Sequence, residues 1–452
     1  MSDPIGGIWA LKTGDYQPSN FASTVVGLQA AIDYCGSTGG EIKIAPVNID
    51  CGTTTLTVNT SLDGTLVICG SGERATILTY SGTDRFIVLG ADDGNHSGSA
   101  NSYAGTIQFR LKDIKLAGPG ETSSATGVTD WENGSSRYEN VFFDQWLVGY
   151  FGIGADVVRF DTCYFNKCGK GAFIATRSDQ NTFDSCYFAL NTIGANVEYA
   201  TGTRFTNCQF VFSDTSDIVF DAPSTPTSNG EARTDAAAWI AGCWFESTTS
   251  PTVTNHINIG SNGTNTRRYE SVYINNCYLL AVSTTNFVNV EAANIVRLEN
   301  VYQAGTITGA LMNITTVSSL TQEVSIKECR VNGGTFFGGT TSSTQALNYR
   351  QRNTSGNAFA ASFTPNALGG EMIEIGNLTA GITINAPTNP ARGQHLQFRI
   401  VQDGTGGWNV TWDSVFKQGW SNTGNTANKR STIQFYYDGS NWNQVGAQSP
   451  YY

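Results

Sequence analysis

A six-residue frame, apolar–x–x–small apolar–x–apolar, returns through the middle of this chain at near-constant spacing. It reads Phe160-Asp161-Thr162-Cys163-Tyr164-Phe165, then Phe183-Asp184-Ser185-Cys186-Tyr187-Phe188, then Phe205-Thr206-Asn207-Cys208-Gln209-Phe210. It continues at Ile240 around Cys243, at Ile274 around Cys277 and at Ile326 around Cys329. Val301 takes the cysteine's place after Leu298, as do Ile114 after Leu111 and Val141 after Tyr138. The starts at 138, 160, 183 and 205 lie 22, 23 and 22 residues apart. A period of that size marks a solenoid, whose coils cannot bury an apolar face alone and must stack on their neighbours. The coils carry β-branched and aromatic residues with no helical period, which selects a parallel β-helix over a helical array.

Stacked coils place equivalent residues about 4.8 Å apart. Cys163, Cys186 and Cys208 are therefore expected as a column of buried, reduced thiols, packing as small hydrophobes. Parallel, in-register Cβ vectors suit disulfide torsions poorly. With no CxxC pair and three scattered histidines, the sequence offers no metal site and calls for no cofactor.

A formal charge of −11 argues against nucleic acid as a partner. No apolar run is long enough to span a bilayer, so no membrane insertion is expected, and the first residues do not read as a signal peptide.

Before the first coil, Phe21 to Tyr34 has helix-like apolar spacing, suited to covering an exposed strand edge. The stretch from Leu28 to Leu78, with Gly70-Ser71-Gly72-Glu73-Arg74-Ala75-Thr76-Ile77-Leu78, resembles the opening of pectate-lyase-like β-helix proteins. That resemblance covers about residues 20–335 and implies a right-handed parallel β-helix with a short N-terminal helical cap. The frame stops after Val331, and the Gly- and Ser-rich text that follows reads as a linker. Short alternating strands then begin near Glu371, Ile382, His395 and Trp408, with a closing hairpin across Asp438-Gly439, as expected of a small β-sandwich or jelly roll. The division expected is an N-terminal arm over 1–20 and a β-helix over 21–332. A linker over 333–357 and a C-terminal module over 358–452 complete it.

Ile384-Asn385-Ala386-Pro387-Thr388-Asn389-Pro390, Gln402-Asp403-Gly404-Thr405-Gly406-Gly407 and Tyr437-Asp438-Gly439-Ser440-Asn441-Trp442 resemble the C-terminal domain of bacteriophage tail fibres and tailspikes. The resemblance implies a homotrimer, a place in the virion tail, directly or through an adaptor protein, and a host surface polysaccharide (capsule or lipopolysaccharide) as partner. A protein made in the host cytoplasm and released by lysis needs no export signal. A non-catalytic receptor-binding adhesin or structural tail component of the same build, and a cellular polysaccharide lyase, are the alternative readings.

The residue after each inward cysteine must point outward. That column reads Phe142, Tyr164, Tyr187, Gln209, Trp244, Tyr278, Tyr302. Two roles fit an exposed aromatic stripe: an interface between copies, or a platform on which Tyr164, Tyr187, Trp244 and Tyr278 stack sugars. Intervals of 35 and 34 residues after 205 and 240 leave room for loop insertions near 221–238 and 247–270. The first loop holds Arg233, a candidate contact for an acidic sugar. Beside it, Glu198 is expected to face outward with Asp217 and Asp221 on the next coil. An offset of one coil and two residues gives about 7–8 Å between backbones. Inverting glycosidases hold their acid and base about 6.5–9.5 Å apart, so this trio is the candidate centre for an endo-glycosidase.

Overall fold

The computed structural model describes residues 7–58, 64–90, 108–131, 134–175, 178–198, 200–221, 236–247, 253–260, 269–284, 286–314, 323–330, 335–339, 346–350, 354–357, 360–367, 372–388, 390 and 393–452. The central coils of the solenoid lay down three strands each. Arg159–Asp161, Tyr164–Asn166 and Lys170–Ile174 form one coil; Thr182–Asp184, Tyr187–Ala189 and Ile193–Glu198 form the next. We call the three resulting stacks the first, second and third faces. Successive coils pair in parallel and in register: Phe160 with Phe183, Tyr164 with Tyr187, Ala172 with Ala195.

Single residues in the left-handed conformation turn the corners. Thr162, Ser185, Asn207 and Asn276 (φ 53, 55, 54 and 52°) separate the first face from the second. Lys167, Leu190 and Phe212 separate the second from the third, and Val157 and Gln180 lead into the next coil. Asparagine tolerates this conformation because its short side chain hydrogen-bonds locally.

The repeat frame fills the interior as expected. Rings of Tyr138, Phe160, Phe183 and Phe205 stack with centroids 4.8, 4.5 and 4.8 Å apart. A second column runs Phe143, Phe165, Phe188, Phe210, Phe245 at 4.8, 4.7, 4.7 and 5.2 Å. Cys163, Cys186 and Cys208 are buried and reduced. Each thiol donates to a carbonyl of the preceding coil: Tyr138 at 3.3 Å, Phe160 at 3.4 Å and Phe183 at 3.4 Å.

The helix spans Val25–Cys35, capped by Thr24, whose Oγ1 accepts from the Gly27 N–H at 3.1 Å. It buries Leu28, Ala31 and Ile32 against the opening of the solenoid. The segment read as an arm includes a strand, Ile8–Lys12, paired antiparallel with Gly40–Ile44. The segment read as a linker also carries strands. Thr335–Gly339 pairs with Ala310–Ile314 and Ala346–Arg350 with Glu323–Lys327, so the stack runs past residue 332. Glycine and serine there interrupt the frame without ending the pairing.

The third face departs from strict alternation. One of its columns runs Phe86, Gly127, Gly149, Gly171, Gly194, Asp217, His256, Phe287, Leu311, with the residue after each also turned inward over most coils. Phe287 and Val288 both lie in the core, as do Leu311 and Met312. This extra inward residue decides where Asp217 goes.

Beyond the solenoid, a six-stranded and a three-stranded sheet share one separate core that includes Ile373, Ile384, Phe398, Phe435 and Trp442. The expected closing hairpin is present, with Arg430–Tyr437 pairing antiparallel with Trp442–Gln444.

Candidate functional site

The outward column of the second face is a continuous ladder. Its register runs Ile77, Lys115, Phe142, Tyr164, Tyr187, Gln209, Trp244, Tyr278, Tyr302, and an isolated bridge adds Arg330. Ring centroids are 5.7 Å apart for Phe142–Tyr164, 5.6 Å for Tyr164–Tyr187, 4.3 Å for Trp244–Tyr278 and 5.4 Å for Tyr278–Tyr302. Tyr164 and Tyr302 are each 39 % exposed, and Tyr187, Trp244 and Tyr278 are half-buried. The rungs from Lys115 to Arg330 span eight coil spacings, about 38 Å. Cations close both ends: Lys115 Nζ sits 4.8 Å over Phe142, and the Arg330 guanidinium 5.3 Å over Tyr302.

A second ladder, on the first face, was missed. Arg204 lies 5.2 Å over Trp239, Trp239 stacks on Tyr273 at 6.1 Å, and Arg297 lies 5.7 Å over Tyr273. Each residue stands one place before the frame's first apolar residue. The counting that finds Tyr164 and Trp244 therefore finds these too.

The three carboxylates part company. Glu198 pairs directly with Asp221 on the next coil, with no two-residue offset, which brings their backbones to about 4.8 Å. Val197 and Phe220 point into the core, so Glu198 and Asp221 lie on the opposite side of their strands. Glu198 is 2 % exposed and Asp221 half-buried. Asp217 is a correction: it faces the interior, fully buried, its Oδ2 2.5 Å from His256 Nδ1, with Phe245 and Phe287 against the imidazole. The extra inward residue of the third face puts it there. The expected 7–8 Å offset falls with it, and Glu198 and Asp221 remain as the adjacent pair.

Lys170, one coil below Glu198 and two below Asp221, feels the charge of both. Burial pushes its ammonium below the usual lysine range, while the charges of Asp221 and Glu198 act against that shift. Its Nζ lies 3.9 Å over Phe173, which continues through Phe151 to Trp131 (5.2 and 5.9 Å between centroids). An apolar floor thus leads along the third face to a lysine and two neighbouring carboxylates. Such a pair can hold and pass a proton. Arg233 lies outside the described residues. Among those residues, no cluster of three or more His, Cys, Asp or Glu is arranged to hold a metal.

Residues 363–442 match the model of the family described as "Putative phage tail fibre C-terminal domain". The C-terminal module resembles a phage tail fibre. No curated protein matches the sequence. Among solved structures, ORF18 of Geobacillus virus E2 is 12 % identical, covering 98 % of this chain and 82 % of that one at a TM-score of 0.47. The tailspike protein of E. coli bacteriophage HK620, solved with a pentasaccharide, is 13 % identical over 86 % of this chain and 74 % of that one, TM-score 0.49. The catalytic domain of a GH87 alpha-1,3-glucanase, solved with nigerose, is 13 % identical over 73 % and 66 %, TM-score 0.44. Likenesses this distant assign no site.

Proposed function

We propose that this chain is a phage tailspike or tail fibre that recognises a host cell-surface polysaccharide along the second-face ladder. One observation carries the reading: a tail-fibre-type C-terminal module follows a parallel β-helix whose outward column is a file of aromatic rings bracketed by cations. Flat apolar ring faces with polar rims suit pyranose stacking, and in-register rungs suit a polymer. In the virion the chain assembles as a homotrimer and attaches to the tail, directly or through an adaptor.

Cleavage is assigned to the third face, with Glu198 and Asp221 as the acid and base or nucleophile pair and Lys170 as their charged neighbour. The short backbone separation favours a retaining arrangement, whose carboxyls stand about 5–5.5 Å apart, over an inverting one. Asp217 is enclosed in the core and drops out of the mechanism.

The test is incubation with purified capsules and lipopolysaccharides from susceptible hosts, scoring binding and new reducing ends. Binding that Tyr164→Ala with Trp244→Ala removes supports the ladder. Cleavage abolished by Glu198→Gln and Asp221→Asn, with binding retained, supports the carboxylate pair. Binding without cleavage leaves an adhesin. Turnover undiminished in both carboxylate variants rejects the assigned centre.

A further inference from the structure

We propose that a cleft at the foot of the second-face ladder seats a carboxylate-bearing sugar of the recognised polysaccharide. The proposal rests on the ladder being a glycan track and names the chemistry of one end of it. The cleft, about 400 Å³, is lined by Glu73, Arg74, Ile77, Lys115, Phe142 and Tyr164. Four of these are consecutive rungs of one column, since Ile77 pairs with Lys115, Lys115 with Phe142 and Phe142 with Tyr164.

The turn that brings Glu73 and Arg74 over this floor is held by its backbone. The Ser71 N–H donates to Thr76 Oγ1 at 2.9 Å, the Gly72 N–H to the Asp113 carbonyl at 2.9 Å, and the Ala75 N–H to the Gly72 carbonyl at 3.0 Å. Gly72 has φ +114°, a conformation that glycine supplies at no steric cost. The two charged side chains therefore leave a fixed base, which lowers the ordering cost of binding.

The two cations differ in how far they are already engaged. Lys115 Nζ is 2.7 Å from Asp144 and rests over Phe142. The Arg74 side chain is 95 % exposed, and its contact with Glu73, 3.8 Å, is at the long end of an ion pair. An exposed pair of that length holds little energy. Arg74 thus offers a planar fork to the cleft that Tyr164, 39 % exposed, also lines. A sugar carboxylate matches the fork while the pyranose face covers the ring. A neutral hexose uses only the ring, and an amino sugar meets two cations. The chain as a whole carries −11, so attraction of a polyanion has to be local.

The experiment measures binding of the intact chain, by calorimetry, to polysaccharides from susceptible hosts, each native and carboxyl-reduced. Reduction removes the charge and keeps the backbone of the glycan. The expected result is a loss of about tenfold in affinity on reduction. Arg74→Gln should lose as much on the native glycan and nothing further on the reduced one, while Arg74→Lys retains part. An affinity that neither reduction nor Arg74→Gln changes, but that Tyr164→Ala removes, overturns the inference and leaves the ladder standing. If no glycan binds in either form, the polysaccharide reading itself fails.

Discussion

Asp217 and His256 occupy the same position on consecutive coils and close on each other inside the solenoid, Oδ2 to Nδ1 at 2.5 Å, both fully buried. Gly194 precedes them in the column and Phe287 then Leu311 follow, so the pair joins a stretch with no side chains to one filled by apolar side chains. Removing one partner strands a buried polar group away from water, which costs about 1–3 kcal/mol and more where that group is charged. His256→Leu is therefore expected to lower stability by several kcal/mol in urea. Asp217→Asn, whose amide can still meet the ring, should cost less. Equal stability of His256→Leu and the parent would show that the pair holds nothing together.

The glycine column makes a sharper prediction. A Cβ on Gly171 would stand 2.5 Å from the Gly194 carbonyl oxygen and 3.0 Å from the Phe165 Cβ; on Gly194 it would meet the Asp217 carbonyl oxygen at 2.5 Å. The obstacle is backbone of the next coil, which cannot swing aside without breaking the ladder. Gly171→Ala should cost at least about 3 kcal/mol, at the upper end of overpacking effects. Thermal denaturation measures it. A shift no larger than that of a surface alanine substitution would mean that the coils are free to separate there.

Legibility in the sequence followed the cysteine frame. Where Cys163, Cys186 and Cys208 mark the register, the inward rings and the outward Tyr164, Tyr187, Trp244 and Tyr278 could be placed by counting. The third face has no such marker. There Gly149, Gly171 and Gly194 conceal an additional inward position, because glycine has no side chain to break the apolar–polar alternation. Counting from Val197 and Ile218 therefore sent Asp217 outward. The same lack of a marker hid the direct Glu198–Asp221 register. Lys170 escaped because its neighbours in space, Glu198 and Asp221, are one and two coils away. Thr335–Gly339 escaped because a strand rich in glycine and threonine reads as a linker until its partner is known.

Val157 turns a corner at φ +56°, where a β-branched residue is crowded. Its N–H donates to the Asp179 carbonyl at 2.7 Å, so the backbone conformation is fixed by the next coil rather than by the side chain. Asparagine, which turns other corners at Asn140, Asn207, Asn276 and Asn300, should relieve the strain. Val157→Asn is expected to stabilise the protein by about 1 kcal/mol. A loss on chemical denaturation would show that packing of the valine outweighs its backbone strain.

Burial pushes the Cys168 and Cys51 thiols up to about 12, and those of Cys35 and Cys329 up to about 11. Tyr138 and Tyr150 are also raised, chiefly by burial and then by the buried Asp130. In the unfolded chain these thiols ionise near their ordinary value of about 9, so above that pH the unfolded state binds fewer protons than the folded one. The stabilising contribution is complete below pH 9 and is lost as the pH rises toward 12. Each such thiol steepens the loss by up to about 1.4 kcal/mol per pH unit. The melting temperature should therefore fall progressively above pH 9 without any carboxylate being involved. Cys168→Ala should make that fall shallower than in the parent. The same burial should keep these thiols from reacting with a disulfide reagent at pH 8 until the chain unfolds; Cys69, half-exposed, is the exception. A melting temperature level through pH 11, or rapid labelling of Cys168 in the folded protein, would place these thiols in contact with solvent and contradict their burial.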